Sequence, residues 1–195
     1  MKVHYRVVAL TILAVVSVVS LFANSPVSVT EKPFVSGGRI EVKLEGGDYE
    51  IRAADGNRIK VSFGGNVGSA KAALNTNGSH ADLAVTQTPN DNFHAVIEVP
   101  AASDLTIRLT AGNLKIDHIV GNKDIESHAG NVEVAVGDAA EYARAEGSVS
   151  AGNIEAPAFD ASISKGGLFR SFKWSGQGKY SLRAHLGAGN LELRK

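Results

Sequence analysis

Alternating apolar and polar side chains dominate the sequence beyond Ser25. Ile40, Val42 and Leu44 alternate with charged residues, and the same period of two recurs at residues 49–51 and 59–63. This period predicts β-strands that bury one face and expose the other. Further strands are predicted at residues 83–85, 95–99 and 105–109, with breaks at Pro89 and Pro100, since proline cannot donate to a sheet ladder.

Helical patterning is almost absent from the same part of the sequence. Residues 64–78 are rich in Gly, Ala, Ser and Asn, and this composition predicts a loop with a short helical turn at residues 70–74. No long run with a helical period follows Ser25. The pattern therefore predicts an all-β fold.

One short phrase occurs four times in the second half of the chain: AGNLKI at 111–116, AGNVEV at 129–134, AGNIEA at 151–156 and AGNLEL at 188–193. The glycines of these phrases, at positions 112, 130, 152 and 189, recur at intervals of 18, 22 and 37. Because the last spacing is close to two ordinary periods, a degenerate copy is predicted in the gap, at residues 165–168 (KGGL).

Each phrase combines a turn with a strand, because Gly and Asn tolerate positive φ and the following residues alternate. A repeat of about 20 residues is typical of solenoids, in which each layer buries its apolar face against its neighbours. The prediction is one single-chain β-solenoid over residues 38–195. A glycine turn at residues 176–178 would join two strands into a carboxy-terminal hairpin cap. Stacked layers would also align Asn113, Asn131, Asn153 and Asn190 in a ladder of side-chain amides.

The phrases IEVP at 97–100, LTIRLTAGNLKI at 105–116 and the later AGN copies resemble the bacterial putative-adhesin, or toast-rack, β-strand-repeat family, a domain of unknown function. The likeness covers residues 38–193. It implies a one-chain β-helix on or beneath the cell surface, and the family offers no established catalytic residues to carry over. The Ala-Gly-Asn turns of this chain depart from the Gly-Asp or Gly-Ser turns usual in the family.

The segment at residues 1–25 has the pattern of a targeting sequence. Lys2 and Arg6 precede an uncharged run at residues 7–22, followed by small polar residues. This order predicts a signal peptide, with an uncleaved amino-terminal anchor as the alternative. Residues 26–37 are then a short linker, and the domain at 38–195 is exported to the periplasm or the cell surface.

Charge and cysteine content narrow the classes of partner. Removal of Lys2 and Arg6 with the leader leaves 18 basic against 20 acidic residues, so the chain lacks the basic excess of nucleic-acid-binding proteins. No cysteine is present, which excludes disulfides and thiolate metal sites. The expected partners are an envelope glycan, a lipid or another surface protein.

No catalytic, cofactor or metal site is predicted. The six histidines form no HxH or HExxH pair, and acidic pairs such as Asp48 and Glu50 alternate along strands as solvent-facing residues do. Ser162–Ile163–Ser164–Lys165 matches the S-x-x-K pattern of penicillin-recognising enzymes, but the companion S-D-N and K-T-G phrases are absent.

One segment is a candidate ligand-binding patch. Residues 161–191 contain no acidic residue, and basic side chains are interleaved there with aromatic ones. Such a surface can bind anionic glycans or lipid headgroups through charge and stacking. The alternative is a hydrophobic cap over the end of the repeats. The patch residues are Arg170, Lys173, Trp174, Lys179, Tyr180 and Arg183.

Three functions follow from these observations. The first is a noncatalytic envelope or surface module that binds or scaffolds, as an adhesin does. The second is an anchored module that signals envelope stress. The third is a small polysaccharide-active β-helix enzyme, which the missing acidic clusters disfavour.

Overall fold

A computed structural model describes residues 29–195, and the predicted signal segment at residues 1–25 lies outside the described residues. The described part consists of thirteen strands and one 3-10 turn at Ala139–Glu141, which confirms the all-β prediction. It contains no helix long and apolar enough to span a bilayer. The strands are β1 (Val29–Pro33), β2 (Arg39–Ala53), β3 (Arg58–Gly65), β4 (Lys71–Asn77), β5 (His80–Thr86), β6 (Phe93–Val99), β7 (Asp104–Ile116), β8 (Lys123–Ala129), β9 (Val132–Ala135), β10 (Tyr142–Glu155), β11 (Ser164–Gly166), β12 (Phe169–Ser175) and β13 (Tyr180–Arg194).

A stack of parallel layers forms the centre of the molecule. β2 pairs along its length with β7, β7 pairs with β8 and β9, these pair with β13, and β13 pairs with β10. The register places Gly47 beside Gly112 and Gly152 beside Gly189. The repeated phrases therefore occupy equivalent positions in successive layers.

The order of the layers differs from the order of the repeats in the sequence. β13, which carries the fourth AGN phrase, lies between β8–β9 and β10, which carry the second and third. A simple solenoid winds from each layer to the next in chain order, and this chain does not. The last strand is therefore an inner layer of the stack, paired on both sides.

The predicted degenerate copy at residues 165–168 is wrong. Gly166 ends β11, and Leu168 lies 75% exposed in the turn before β12. β11 and β12 form an antiparallel hairpin at the edge of the sheet. The glycines of this segment therefore make a hairpin turn, and they do not add a layer to the stack.

The predicted hairpin across residues 176–178 is also wrong. β12 pairs antiparallel with β10, and β13 pairs parallel with the other edge of β10. Since β10 lies between them, the two strands that flank this glycine segment do not pair with each other. The segment crosses over the start of β10, where the amides of Gly178 and Lys179 donate to the carbonyls of Tyr142 and Glu141.

Two amino-terminal segments are strands where other structure was expected. The loop and helical turn predicted within residues 64–78 are wrong for Lys71–Asn77, which form β4 and pair antiparallel with β5. β1, at Val29–Pro33, falls inside the predicted linker and pairs antiparallel with β3. Pairing with an existing strand satisfies the backbone of both segments despite their weak alternation.

One continuous hydrophobic core lies inside the strands. The predicted apolar positions of β2 and β3, including Ile40, Tyr49 and Ile59, are all buried. At the β10 end, Ala158 and Phe159 turn inward after β10 and pack on the same core. This segment closes the end of the stack.

Candidate functional site

Glycines bend each layer of the stack at the same place. Gly130 has a φ of 122°, and a Cβ atom added to it would overlap the carbonyl oxygen of Gly112 in the next layer. Gly112, Gly189 and Gly152 have positive φ and the same close approach to a neighbouring glycine. The turn that the tolerance of Gly for positive φ predicts in each AGN phrase is therefore present at all four glycines.

A ladder of polar side chains follows the bends across the layers. Asn113 Nδ2 donates to Asp48 Oδ1 at 2.7 Å, and Asn131 Nδ2 donates to Asn113 Oδ1 at 2.9 Å. Asn190 Nδ2 then donates to Asn131 Oδ1 at 2.9 Å. The predicted ladder therefore exists, with Asp48 as the terminal acceptor.

Asn153 is the one predicted member that leaves the ladder. Its Cα is paired with that of Asn190, but its Nδ2 donates to Glu155 Oε1 at 3.3 Å. At this point β10 is an edge strand, because its pairing with β12 has ended at Val149. The Asn153 amide therefore donates to Glu155 on its own strand.

A second ladder lies at the start of the same strands, and the AGN phrases did not predict it. The backbone N and the Nδ2 of Asn122 both donate to Asp104 Oδ1, at 2.7 and 3.0 Å. The Oδ1 of Asn122 accepts from the backbone N and the Oγ of Ser181. The signal that could have found it is the pair Gly121–Asn122, a Gly-Asn phrase without the preceding alanine.

The structure does not place the six predicted patch residues on one face. Lys173 and Arg183 lie on either side of Glu146 in the cross-strand register, and Arg183 Nε is 3.8 Å from Glu146 Oε1. Trp174, the next residue after Lys173, points to the opposite face of the strand. Its ring packs against Phe159, with the centroids 5.0 Å apart.

The remaining patch residues interact locally. The Nη1 of Arg170 donates to the carbonyls of Gly167 and Phe169, and so holds the turn between β11 and β12. Lys179 Nζ lies 4.7 Å from the centroid of the Tyr180 ring. Tyr180 packs edge-on against Tyr142, which belongs to the buried aromatic group of Tyr142, Phe159 and Phe172.

A shallow groove of about 470 Å³ crosses five strands just before the bends. It is not centred on the predicted patch, and no sequence pattern predicts it because its residues come from distant parts of the chain. Its charged and imidazole side chains are Lys43, Glu45, Arg108, Glu126, His128 and His185.

Both acidic residues of the groove are occupied by internal partners. Glu45 Oε2 accepts from the backbone amides of Gln87 and Thr88, at 2.5 and 3.4 Å. Glu126 Oε2 is 3.1 Å from Arg108 Nε. Within residues 29–195, neither Lys43 nor His128 forms an ion pair with a carboxylate. The groove therefore presents unpaired basic groups to solvent.

The basic surface continues from the groove to part of the predicted patch. His185 lines the groove and also a second depression of about 250 Å³, which includes Arg183 and Lys173. The Oγ of Ser148 lies 2.7 Å from His185 Nδ1 and fixes the imidazole at the junction. We name this continuous surface, from Lys43 to Lys173, the basic strip.

A lysine is buried beneath this face of the sheet. Lys123 is 2% exposed, and its Nζ donates to the Tyr142 hydroxyl at 2.9 Å and to the Gly121 carbonyl at 3.2 Å. Burial lowers its pKa to about 8, against the opposing effect of the charges of Asp104 and Glu141. The two hydrogen bonds explain how a cation is kept at an otherwise apolar position.

No protein-family model and no curated protein matches the sequence. Among solved structures, a putative cell adhesion protein from Clostridium sporogenes ATCC 15579 superposes with a TM-score of 0.51 at 14% identity. The match covers 87% of this chain and 99% of that one. The chain shares the fold of this putative cell adhesion protein. The resemblance to putative adhesins seen in the repeated phrases therefore extends to three dimensions.

Two further matches are weaker. A putative adhesin from Bacteroides fragilis NCTC 9343 has a TM-score of 0.27 at 8% identity, over 87% of this chain and 97% of that one. A putative lipid binding protein from Parabacteroides distasonis ATCC 8503 has a TM-score of 0.26 at 8% identity, over 88% and 96%. Of these three structures, the Clostridium sporogenes protein alone supports a common fold.

Proposed function

We propose that this chain is a noncatalytic module of the cell envelope or surface that binds an anionic envelope glycan along the basic strip. The observation that carries the proposal is the pairing pattern in the groove. Its carboxylates are bound internally, while Lys43 and His128 remain available. A polymer that carries repeated negative charges could contact several strands at once, and its affinity would come from many weak contacts.

The frame beneath the strip suits such a role. At the bends, each glycine packs directly against the backbone carbonyl of a glycine in the next layer. The side-chain ladder that starts at Asp48 joins four layers by hydrogen bonds. Short, repeated layers of this kind support describing the domain as a β-solenoid whose winding order is interrupted by β13. A rigid sheet keeps the basic groups at fixed spacings, so less entropy is lost when a polymer binds.

Export is the second part of the proposal. The leader-like segment at residues 1–25 and the fold shared with a putative cell adhesion protein both support it. Sequencing the amino terminus of the protein recovered from intact cells would test it. A terminus between residues 20 and 26 is expected for a cleaved signal peptide, and an intact leader in the membrane fraction would favour the anchored signalling module.

Binding of the full chain to sodium alginate and to polyphosphate, by isothermal titration calorimetry, tests the glycan proposal. Alginate carries carboxylates on sugar rings, and polyphosphate offers charge without sugars. We expect alginate binding at low salt that weakens as salt screens the charges. Lys43→Gln should weaken it by roughly tenfold, the effect of losing about one charged contact.

Lys165→Gln removes the same charge from β11, outside the strip, and serves as the matched control. The glycan proposal fails if Lys43→Gln and Lys165→Gln bind alginate equally well. Tighter binding of polyphosphate than of alginate at equal charge would leave charge as the only recognised feature. Replacing Lys173 and Arg183 together by Gln tests whether the strip extends past the groove.

A further inference from the structure

Three side chains with metal-ligating atoms meet on the outer face of β2 and β5. His80 and Asp82 are two positions apart on β5 and therefore point to the same side. The parallel register sets Glu41 of β2 beside Asp82. One ligand atom from each of the three side chains lies within 4.8 Å of the others.

The separation between the His80 imidazole and the Asp82 carboxylate is compatible with a shared metal ion. His80 Nε2 lies 3.4 Å from Asp82 Oδ1, which is longer than the usual hydrogen bond between nitrogen and oxygen. Two ligands about 2.0 to 2.1 Å from a tetrahedral zinc ion lie roughly 3.4 Å apart. The imidazole and the carboxylate therefore stand at the spacing that a shared ion requires.

The charges around this cluster also favour a bound cation. Glu41 and Asp82 are neighbours on adjacent strands, where two like charges destabilise the pair. Arg39 and Lys43 flank Glu41 on the same face, yet within the described residues neither forms an ion pair with it. A bound cation would remove this repulsion.

We propose that Glu41, His80 and Asp82 bind one divalent transition-metal ion, with Zn²⁺ as the best fit to one imidazole nitrogen and two carboxylate oxygens. Three protein ligands leave one coordination position open to solvent. The sequence did not reveal the site because Glu41 lies far from His80 along the chain and only strand pairing brings them together. The site does not depend on the glycan proposal.

Zinc binding to the full, untagged chain after treatment with a chelator tests the site. Calorimetry with ZnCl₂ should give one ion per chain. His80→Ala, Asp82→Asn and Glu41→Gln should each weaken binding by more than about tenfold, because even residues behind the ligands cost tenfold or more in metal affinity. His128→Ala and Glu155→Gln, a histidine and a glutamate from the same sheet outside the cluster, should bind as the parent does.

Long-range ¹H–¹⁵N correlation spectra of the histidine side chains give a readout that stability alone would not change. Addition of Zn²⁺ should shift the Nε2 resonance of His80 and leave that of His128 in place. Because all three replaced side chains lie on the outer face, the variants should keep the parent's thermal midpoint without zinc. The proposal is overturned if the parent binds no zinc, if His80→Ala retains parental affinity, or if the His80 Nε2 resonance does not move.

Discussion

Asn190 donates its side-chain amide to Asn131, which lies two repeats earlier in the sequence, and its backbone N also contacts the same Oδ1, at 3.2 Å. Asn131 in turn donates to Asn113. Asn131 is thus the central member of the ladder, and it ties the layer formed by β9 to those of β7 and β13. Removal of its side chain breaks bonds on both sides.

Asn131→Ala should lower the free energy of unfolding by about 1 to 3 kcal/mol, since each net hydrogen bond contributes about 1 kcal/mol. Asn153→Ala is the matched control, because Asn153 has the same phrase and donates only within its own strand. Urea denaturation should show a clear loss for the first variant and less than about 0.5 kcal/mol for the second. Equal losses would show that the ladder does not stabilise the stack.

Gly130→Val should destabilise the protein by about 3 kcal/mol or more, because a branched side chain is strained at a φ of 122° and its Cβ would overlap the Gly112 carbonyl. Gly46→Ala is the control, since nothing lies within 4 Å of a Cβ at that position. The control should melt within a few degrees of the parent. If Gly130→Val did the same, the contact between the bends would not be obligatory.

The aromatic side chains around the end of the stack should differ in their contributions according to burial. Phe172 is 2% exposed, and Phe172→Ala should lower the free energy of unfolding by about 3 to 5 kcal/mol, the usual range for a buried Phe. Trp174→Ala should cost less, about 2 kcal/mol, because its ring is only partly covered by Phe159. Phe169, 44% exposed, serves as the control and should cost less than about 1 kcal/mol.

Chemical denaturation of these three variants would separate a cap from a binding site. The cap hypothesis for Trp174 requires that its loss lower stability. A Trp174→Ala protein that melts like the parent and no longer binds alginate would instead support a role for this residue in binding.

Lys123 should make stability depend on pH in the alkaline range. Burial lowers its pKa from the ordinary 10.5 to about 8, so the folded chain releases this proton at a lower pH than the unfolded chain does. Between about pH 8 and 10.5 the unfolded state therefore binds more protons, and the contribution of Lys123 to stability rises with pH. A shift of this size corresponds to about 3 kcal/mol over the whole window.

Lys123→Met removes this contribution while keeping much of the side-chain volume. The variant's stability relative to the parent should therefore be higher at pH 7 than at pH 10, by most of that amount. Other titrating groups affect both proteins alike, so only the difference between their urea midpoints is informative. Parallel profiles from pH 7 to 10 would show that the pKa of Lys123 is the same in the folded and the unfolded state.

Features of the fold that depend on residues adjacent in the sequence could be predicted from local patterns. Alternation found the buried positions of β2, β3 and β7, and the AGN phrases found the bends and most of the ladder. β4 was mistaken for a loop because its alanines and asparagines carry little strand preference, and pairing with β5 decides its conformation.

The errors at the carboxy-terminal end have a common physical cause. Gly176 and Gly178 look like a hairpin turn, but the strands beside them pair with opposite edges of β10. No local feature of the sequence shows which edge a strand will choose. For the same reason the groove and the cluster at Glu41, His80 and Asp82 could not be predicted, since each exists only through pairing between distant strands.

The position of β13 also governs the order in which the molecule can fold. Residues 180–194 fill the space between β8–β9 and β10, so the facing edges of those strands stay unsatisfied until this late segment arrives. Contacts so remote along the chain slow folding. A nascent polypeptide therefore cannot complete its core layer by layer, because β13 is synthesised after the strands that flank it on both sides.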